Sequence, residues 1–275
     1  MSAAKRLGQH FLTDPQLLRR IADALEPSPE DVVIEIGPGR GSLTVAVAPR
    51  VAHVIAIEKD ARLARECGMR SAECGIDNVS LVEGDALKVE WHALLEPHGA
   101  TPHSAFRTPH FKVVGNIPYS ITSPLIEKAL TPPLPERIVF LVQREVAERI
   151  AATPGRKAYG ALSVGVQAAC RVELLFRVRA GAFRPRPRVD SALLRLTPLA
   201  QPLIAPQEGA VFRRFVTTCF SRRRKQLRNV LVAAAGRPVE EVKAGLAALG
   251  LDPVARPETL PPAQFVRLLR WSGGL

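Results

Sequence analysis

Acidic residues are scarce in this chain. Only 26 Asp and Glu stand against 38 Lys and Arg, a formal charge of +12 over 275 residues. That deficit points to a polyanionic partner, either nucleic acid or an anionic surface. A long apolar run is also missing: nothing approaches the roughly 20 residues of a membrane span, so no membrane partner is expected. The first residues, Met1-Ser2-Ala3-Ala4-Lys5-Arg6, lead into a polar segment rather than the apolar core of a signal peptide, and a cytoplasmic location is expected. Cys67, Cys74, Cys170 and Cys219 form no C-x-x-C pair and read as reduced, mostly packing thiols. His92, His98, His103 and His110 fall in or beside the proline-rich stretch from Glu96 to Pro109, which reads as a surface loop, and no metal site is expected. What the chain does have is apolar content, 47%, ample for a core.

A run of α/β signals fills the first two thirds. Asp14-Pro15 reads as a cap followed by proline at the first helical position, with Leu17, Leu18, Ile21, Ala24 and Leu25 recurring at helical spacing. Val32-Val33-Ile34-Glu35-Ile36 reads as a buried parallel strand. It runs into Gly37-Pro38-Gly39-Arg40-Gly41, and Ser42-Leu43-Thr44 then opens a helix. The third glycine comes one residue too early for the G-x-G-x-x-G of dinucleotide sites. Glu35, two residues before the first glycine, suits the cationic amino-acid portion of S-adenosylmethionine better than a diphosphate. Val54 to Ile57 forms a second strand, and Glu58 lies 21 positions after Gly37, where an acid can accept both ribose hydroxyls. Leu81-Val82-Glu83-Gly84-Asp85-Ala86 is a third strand and turn, with Asp85 placed to bind an adenine amino group. Each acid alone reads as a solvated loop charge; three at the ends of successive strands argue for a shared ligand.

The fourth strand, Val113-Val114-Gly115, ends in Asn116-Ile117-Pro118-Tyr119. Pro118 stiffens this corner and holds Ile117 extended. The Asn116 side chain and the Pro118 carbonyl could accept both hydrogens of a nucleobase amine, and Tyr119 could stack on the base. The bland alternative is a rigid turn with a half-buried Tyr. Further on, Phe183-Arg184-Pro185-Arg186-Pro187-Arg188 is a basic loop entering a last strand. Its aromatic could stack on an extruded base while Arg184 and Arg186 hold phosphates, or Phe183 could be a core plug. Composition shifts at Pro198 to Pro206, so the expected division is residues 1–198 and 199–275. Beyond it the pattern is helical, and the cations Arg222, Arg223, Arg224 and Lys225 lie between apolar positions. Uncompensated, they repel one another, and a phosphate backbone would relieve that.

With these residues assembled, the chain resembles the bacterial small-subunit ribosomal RNA adenine N6,N6-dimethyltransferase family along nearly its whole length. The resemblance rests on Gly8-Gln9-His10-Phe11-Leu12, Glu35-Ile36-Gly37-Pro38-Gly39, Asn116-Ile117-Pro118-Tyr119, Gln143 to Arg149, Tyr159 to Val164, Phe183 to Ala192 and Arg222 to Asn229. It implies a Rossmann-like, S-adenosylmethionine-dependent methyltransferase sheet with a small all-α C-terminal domain that binds RNA. It implies that His10, Leu12, Gly37, Gly39, Glu58, Asp85, Ala86 and Asn116 face the cofactor, joined by Glu35. Asn116, Pro118, Tyr119 and Phe183 would hold the target adenine. His10 stands where the family often has asparagine, which puts its side-chain contact in question. The implied substrate is a pair of adjacent adenosines near the 3′ end of small-subunit rRNA, free or in the subunit particle, and a monomer is expected. The related large-subunit enzymes share Asn-Ile-Pro-Tyr, but Gln143 to Arg149 and Arg222 to Asn229 resemble the small-subunit group. A non-catalytic assembly factor is the third reading, and the intact glycine turn, Glu58, Asp85 and Asn116 argue against it.

Overall fold

The computed structural model describes residues 9–96, 111–222 and 225–273. Asp14 caps the first helix, α1 (Pro15–Ala24): its carboxylate accepts the N–H groups of Gln16 at 2.8 Å and Leu17 at 3.3 Å. Pro15 occupies the first turn, where no N–H is needed. Strands β2 (Val32–Ile36), β3 (His53–Glu58), β4 (Val79–Glu83), β5 (Phe111–Asn116) and β6 (Arg137–Gln143) run parallel. Every residue of β2 is buried, Glu35 included, which explains why its apolar residues do not alternate with exposed polar ones.

The sheet has seven strands in the order β4-β3-β2-β5-β6-β9-β7, with β7 spanning Cys170–Val178 and β9 Ser191–Pro198. The chain moves outward from β2 through β3 to β4, then returns to the other side of β2 as β5. That reversal opens a crevice at the carboxyl ends of β2 and β5, the place where open α/β sheets take ligands. Strand β9 is antiparallel to β6, which breaks the all-parallel pattern of a dinucleotide-binding sheet. A separate two-stranded ribbon pairs β1 (Phe11–Leu12) with β8 (Phe183–Arg184).

The chain divides into two compact units, Met1–Ala147 with Glu173–Pro198, and Glu148–Val172 with Leu199–Leu275. The second is helical, built on α2 (Ala161–Gln167), α3 (Gly209–Ser221), α4 (Leu227–Ala235), α5 (Val239–Ala248) and α6 (Pro262–Ser272). It takes in more than the residues after 198, for a physical reason. Tyr159, Val164 and Ala168 are buried in the same core as Phe212, Phe215 and Phe265. The Tyr159 hydroxyl donates to the Leu260 carbonyl at 2.8 Å. No helix among the described residues is long and apolar enough to cross a membrane.

Candidate active site

A cavity of about 230 Å³ opens at the carboxyl ends of β2, β3, β4 and β5. Its walls include Gly37 and Gly39 from the glycine turn, Glu58, Asp85 with Ala86, and the whole Asn116–Tyr119 corner. Gln9, His10 and Phe11 close one side. Residues as far apart in sequence as Gly37 and Asn116 thus meet at one place because each lies at the end of a strand of the same sheet.

The glycine turn is shaped by crowding. Gly39 has φ +58°, and a Cβ there would sit 2.9 Å from Cε1 of Phe11. Only glycine both adopts that backbone and admits the ring. Gly115 lies in register beside Ile36, and a Cβ there would meet the Ile36 carbonyl oxygen at 2.6 Å. The two strands therefore approach more closely than side chains allow, just beneath the cavity floor.

The three acids differ in role. Glu58 is 6% exposed; its carboxylate accepts the N–H of Gly39 at 3.1 Å and of Asp60 at 3.0 Å. Burial raises its pKa against the pull of those bonds. Each oxygen keeps a lone pair for a ligand hydroxyl. Asp85 accepts from Lys59 Nζ at 2.9 Å and from the Leu87 N–H at 3.0 Å, and the lysine bond above all holds its carboxyl below the usual range. Glu35 departs from the sequence expectation. It is 1% exposed, accepts the Thr44 hydroxyl at 2.6 Å, and does not line the cavity. Lying within β2 rather than at its end, it borders a second, smaller cavity together with Gly37, Ser42 and Asn116, and desolvation pushes its pKa to about 7.

At the other end, the Asn116 Nδ2 donates to the His10 carbonyl at 2.7 Å. That bond uses one of the amide's two N–H donors and leaves Oδ1 as its acceptor. The His10 ring bonds through Nδ1 to the Pro185 carbonyl at 2.8 Å and lies 6.0 Å from the Tyr119 ring, tilted 33°. The Tyr119 hydroxyl meets Ser191 Oγ at 3.0 Å, so the ring is fixed from both sides. Pro118 is less free than expected: its carbonyl already accepts the Ile121 N–H at 3.1 Å and, loosely, the Thr122 hydroxyl at 3.5 Å. No hydrogen bond to the Ile117 carbonyl occurs among the described residues.

Phe183 and Leu12 both turn their side chains into the core. Phe183 is 1% exposed and belongs to the core with Leu12, Leu18 and Ile21; it does not line the cavity. Its pairing with Leu12 across the β1–β8 ribbon turns the ring inward, so the core-plug reading holds. The Leu12 side chain packs in the same core, 5% exposed, and borders the second cavity beside Glu35, Gly37 and Asn116. Arg184, Arg186, Arg222 and Lys225 are exposed, while Arg223 and Arg224 lie outside the described residues. The proline-rich insertion with His98, His103 and His110 also lies outside them. Sequence reading did not single out Lys59 as a wall residue; it follows Glu58 directly and could have been found by extending that strand one step.

A Rossmann-like sheet with an inserted antiparallel strand, and a glycine turn, acids and an Asn-Ile-Pro-Tyr corner around one cavity, define an α/β methyltransferase. Across residues 1–272 the chain matches the family model for ribosomal RNA adenine dimethylase, and it belongs to that family. It is 40% identical over 272 residues to ribosomal RNA small subunit methyltransferase A of Pediococcus pentosaceus, covering 98% of this chain and 89% of the relative. The protein of the same name from Pseudomonas aeruginosa is 41% identical over 268 residues, covering 97% and 93%. Among solved structures, a dimethyladenosine transferase from Plasmodium falciparum superposes with TM-score 0.82 at 28% identity, covering 96% of this chain and 98% of that one. The 23S rRNA methyltransferase ErmE gives TM-score 0.72 at 30% identity, covering 96% and 99%.

Proposed function

We propose that this protein transfers methyl groups from S-adenosylmethionine to N6 of two adjacent adenosines near the 3′ end of 16S rRNA. The product is N6,N6-dimethyladenosine, made during small-subunit assembly. The observation that carries this reading is the Asn116 amide, anchored by its nitrogen to the His10 carbonyl at 2.7 Å with its oxygen left to accept. An adenine N6 amine has two N–H donors and a lone pair delocalised into the ring. Asn116 Oδ1 takes one N–H. The second falls to a carbonyl of the same turn, and Ile117's is freer than Pro118's. With both hydrogens held, the lone pair is directed into the cavity. Tyr119, fixed by Ser191 and flanked by the His10 ring, offers a platform for the base.

Glu58 has lone pairs suited to ribose hydroxyls, Asp85 suits an adenine amine, and Gly37 and Gly39 let a ligand come close to the backbone. When bound, S-adenosylmethionine supplies an electrophilic methyl on a sulfonium leaving group. The protein's share is positioning, which is worth several powers of ten when a bimolecular step is made intramolecular. The aminium formed on transfer is acidic and sheds its proton readily, so the site works without a general base beside the amine. After one transfer a single N–H remains, and Asn116 can still hold it for the second.

The relatives at about 40% identity carry the small-subunit name, whereas the 23S enzyme ErmE is 30% identical. That difference favours the small-subunit substrate over the large. Replacing Asn116 with Ala should lower the single-turnover methylation rate by about 10²-fold or more, the scale seen when a preorganised polar contact to the reacting group is lost. A rate within a few-fold of wild type would refute the amine-holding role.

A further inference from the structure

The second cavity, of about 40 Å³, is filled by side chains from one face of the sheet, and the pleat decides which. Glu35 of β2 pairs with Val114 of β5, and Asn116 of β5 pairs with Leu141 of β6. Side chains two residues apart on a strand share a face, so Glu35, Asn116 and Leu141 project to the same side. All three border this cavity, together with Ser42 and with Leu18 of α1. Asn116 borders the larger cavity as well, so it stands between the two.

Two unmet polar demands face each other across this small space. Thr44 satisfies one Glu35 oxygen, and no donor among the described residues reaches the other, Oε1. The Asn116 amide gives one N–H to the His10 carbonyl, and its second has no acceptor among the described residues. A water needs about 10–15 Å³ and two or more polar partners, and the cavity supplies both.

We infer that Glu35 is a positioning residue for methyl transfer: a water in the second cavity accepts the free Asn116 N–H and bonds to Glu35 Oε1, which fixes the amide with Oδ1 toward the target amine. The inference rests on the methyltransferase reading above. An amide turned over would present N–H groups to an amine that needs an acceptor. The His10 carbonyl holds one N–H against that turn, and Glu35 holds the other through the water. The water completes the chain in either state of the carboxyl, donating to a carboxylate or accepting from its O–H.

Single-turnover methylation and calorimetric binding of S-adenosylhomocysteine to the full chain test this role. Glu35→Met, of similar volume but without acceptors, should slow methyl transfer by about tenfold, the size of one buried hydrogen bond left unmade. Affinity for S-adenosylhomocysteine should stay within about twofold. Glu35→Gln, which can still bond to the water, should keep most of the rate. In an Asn116→Ala background, Glu35→Met should cost no more than about twofold, because its effect runs through the amide. Leu18→Phe, which fills the second cavity with Glu35 intact, should slow transfer like Glu35→Met, and it carries the test if Glu35→Met does not fold. Losses that multiply in the double variant, an unchanged rate in Leu18→Phe, or a rate loss matched by weaker S-adenosylhomocysteine binding would overturn the assignment. The last would make Glu35 a donor contact instead. A wild-type protein that bound no S-adenosylhomocysteine and transferred no methyl would refute the methyltransferase reading itself, and the positioning role with it.

Discussion

Glu35 carries the residue-scale consequence easiest to measure. Buried beneath the glycine turn, its carboxyl is raised from 4.5 to about 7, with the Thr44 hydroxyl only partly offsetting desolvation. A raised acid binds protons more tightly folded than unfolded. Its contribution to stability is therefore full below pH 4.5 and is lost as pH rises through about 7. Relative to Glu35→Gln, the wild type should lose up to about 3 kcal/mol of unfolding free energy between those limits. Urea titrations of both proteins at pH 5 and pH 8 read this directly, and parallel pH profiles would contradict it. Phe183 makes a second residue-scale case. Its ring lies in the core, so Phe183→Ala should cost about 3–5 kcal/mol of stability. A loss confined to methyl transfer, with stability unchanged, would restore the base-stacking role that its place on a basic loop suggests.

At the scale of elements, the site depends on how closely β2 and β5 approach. A methyl at Gly115 would press on the Ile36 carbonyl and on Ile117 Cδ1, at 2.6 and 2.7 Å. The first is backbone and cannot turn aside. Gly115→Ala should therefore destabilise the protein by about 1–3 kcal/mol and loosen donor binding, visible in thermal unfolding with and without S-adenosylhomocysteine. Unchanged melting would mean the strands have room. The parallel strands were legible because burial on both faces leaves unbroken apolar runs such as Val54 to Ile57. The cap at Asp14-Pro15 was legible from residue type alone. The β1–β8 ribbon was not, because two-residue strands have no period and their partners lie over 170 positions apart. That ribbon is what turns the Leu12 and Phe183 side chains inward, so the burial of the Phe183 ring was not legible without it. The burial of Glu35 and its bond to Thr44 were hidden for a related reason: spacing places it near the turn, but only the pleat shows which way it faces.

For the molecule as a whole, the +12 charge calls for a polyanion. Exposed Arg184 and Arg186 belong to the catalytic unit, and exposed Arg222 and Lys225 to the helical one. Changing Arg222 and Lys225 to Gln should weaken RNA binding and reduce the slope of log affinity against log salt by about 1 to 2, while donor affinity stays unchanged. An unaltered slope would place the phosphate contacts elsewhere. The division of the chain was partly legible: composition changes after Pro198, but Tyr159 and Val164 join the helical core only through contacts with residues far along the chain. The central claim, that this protein dimethylates adenines of the small subunit, is tested most directly with labelled S-adenosylmethionine. Unmethylated small and large ribosomal subunits are each incubated with the protein, and the modified nucleotides are mapped. The account predicts four methyl groups on two adjacent adenosines near the 3′ end of the small-subunit RNA; label on the large subunit, or on neither, would contradict it.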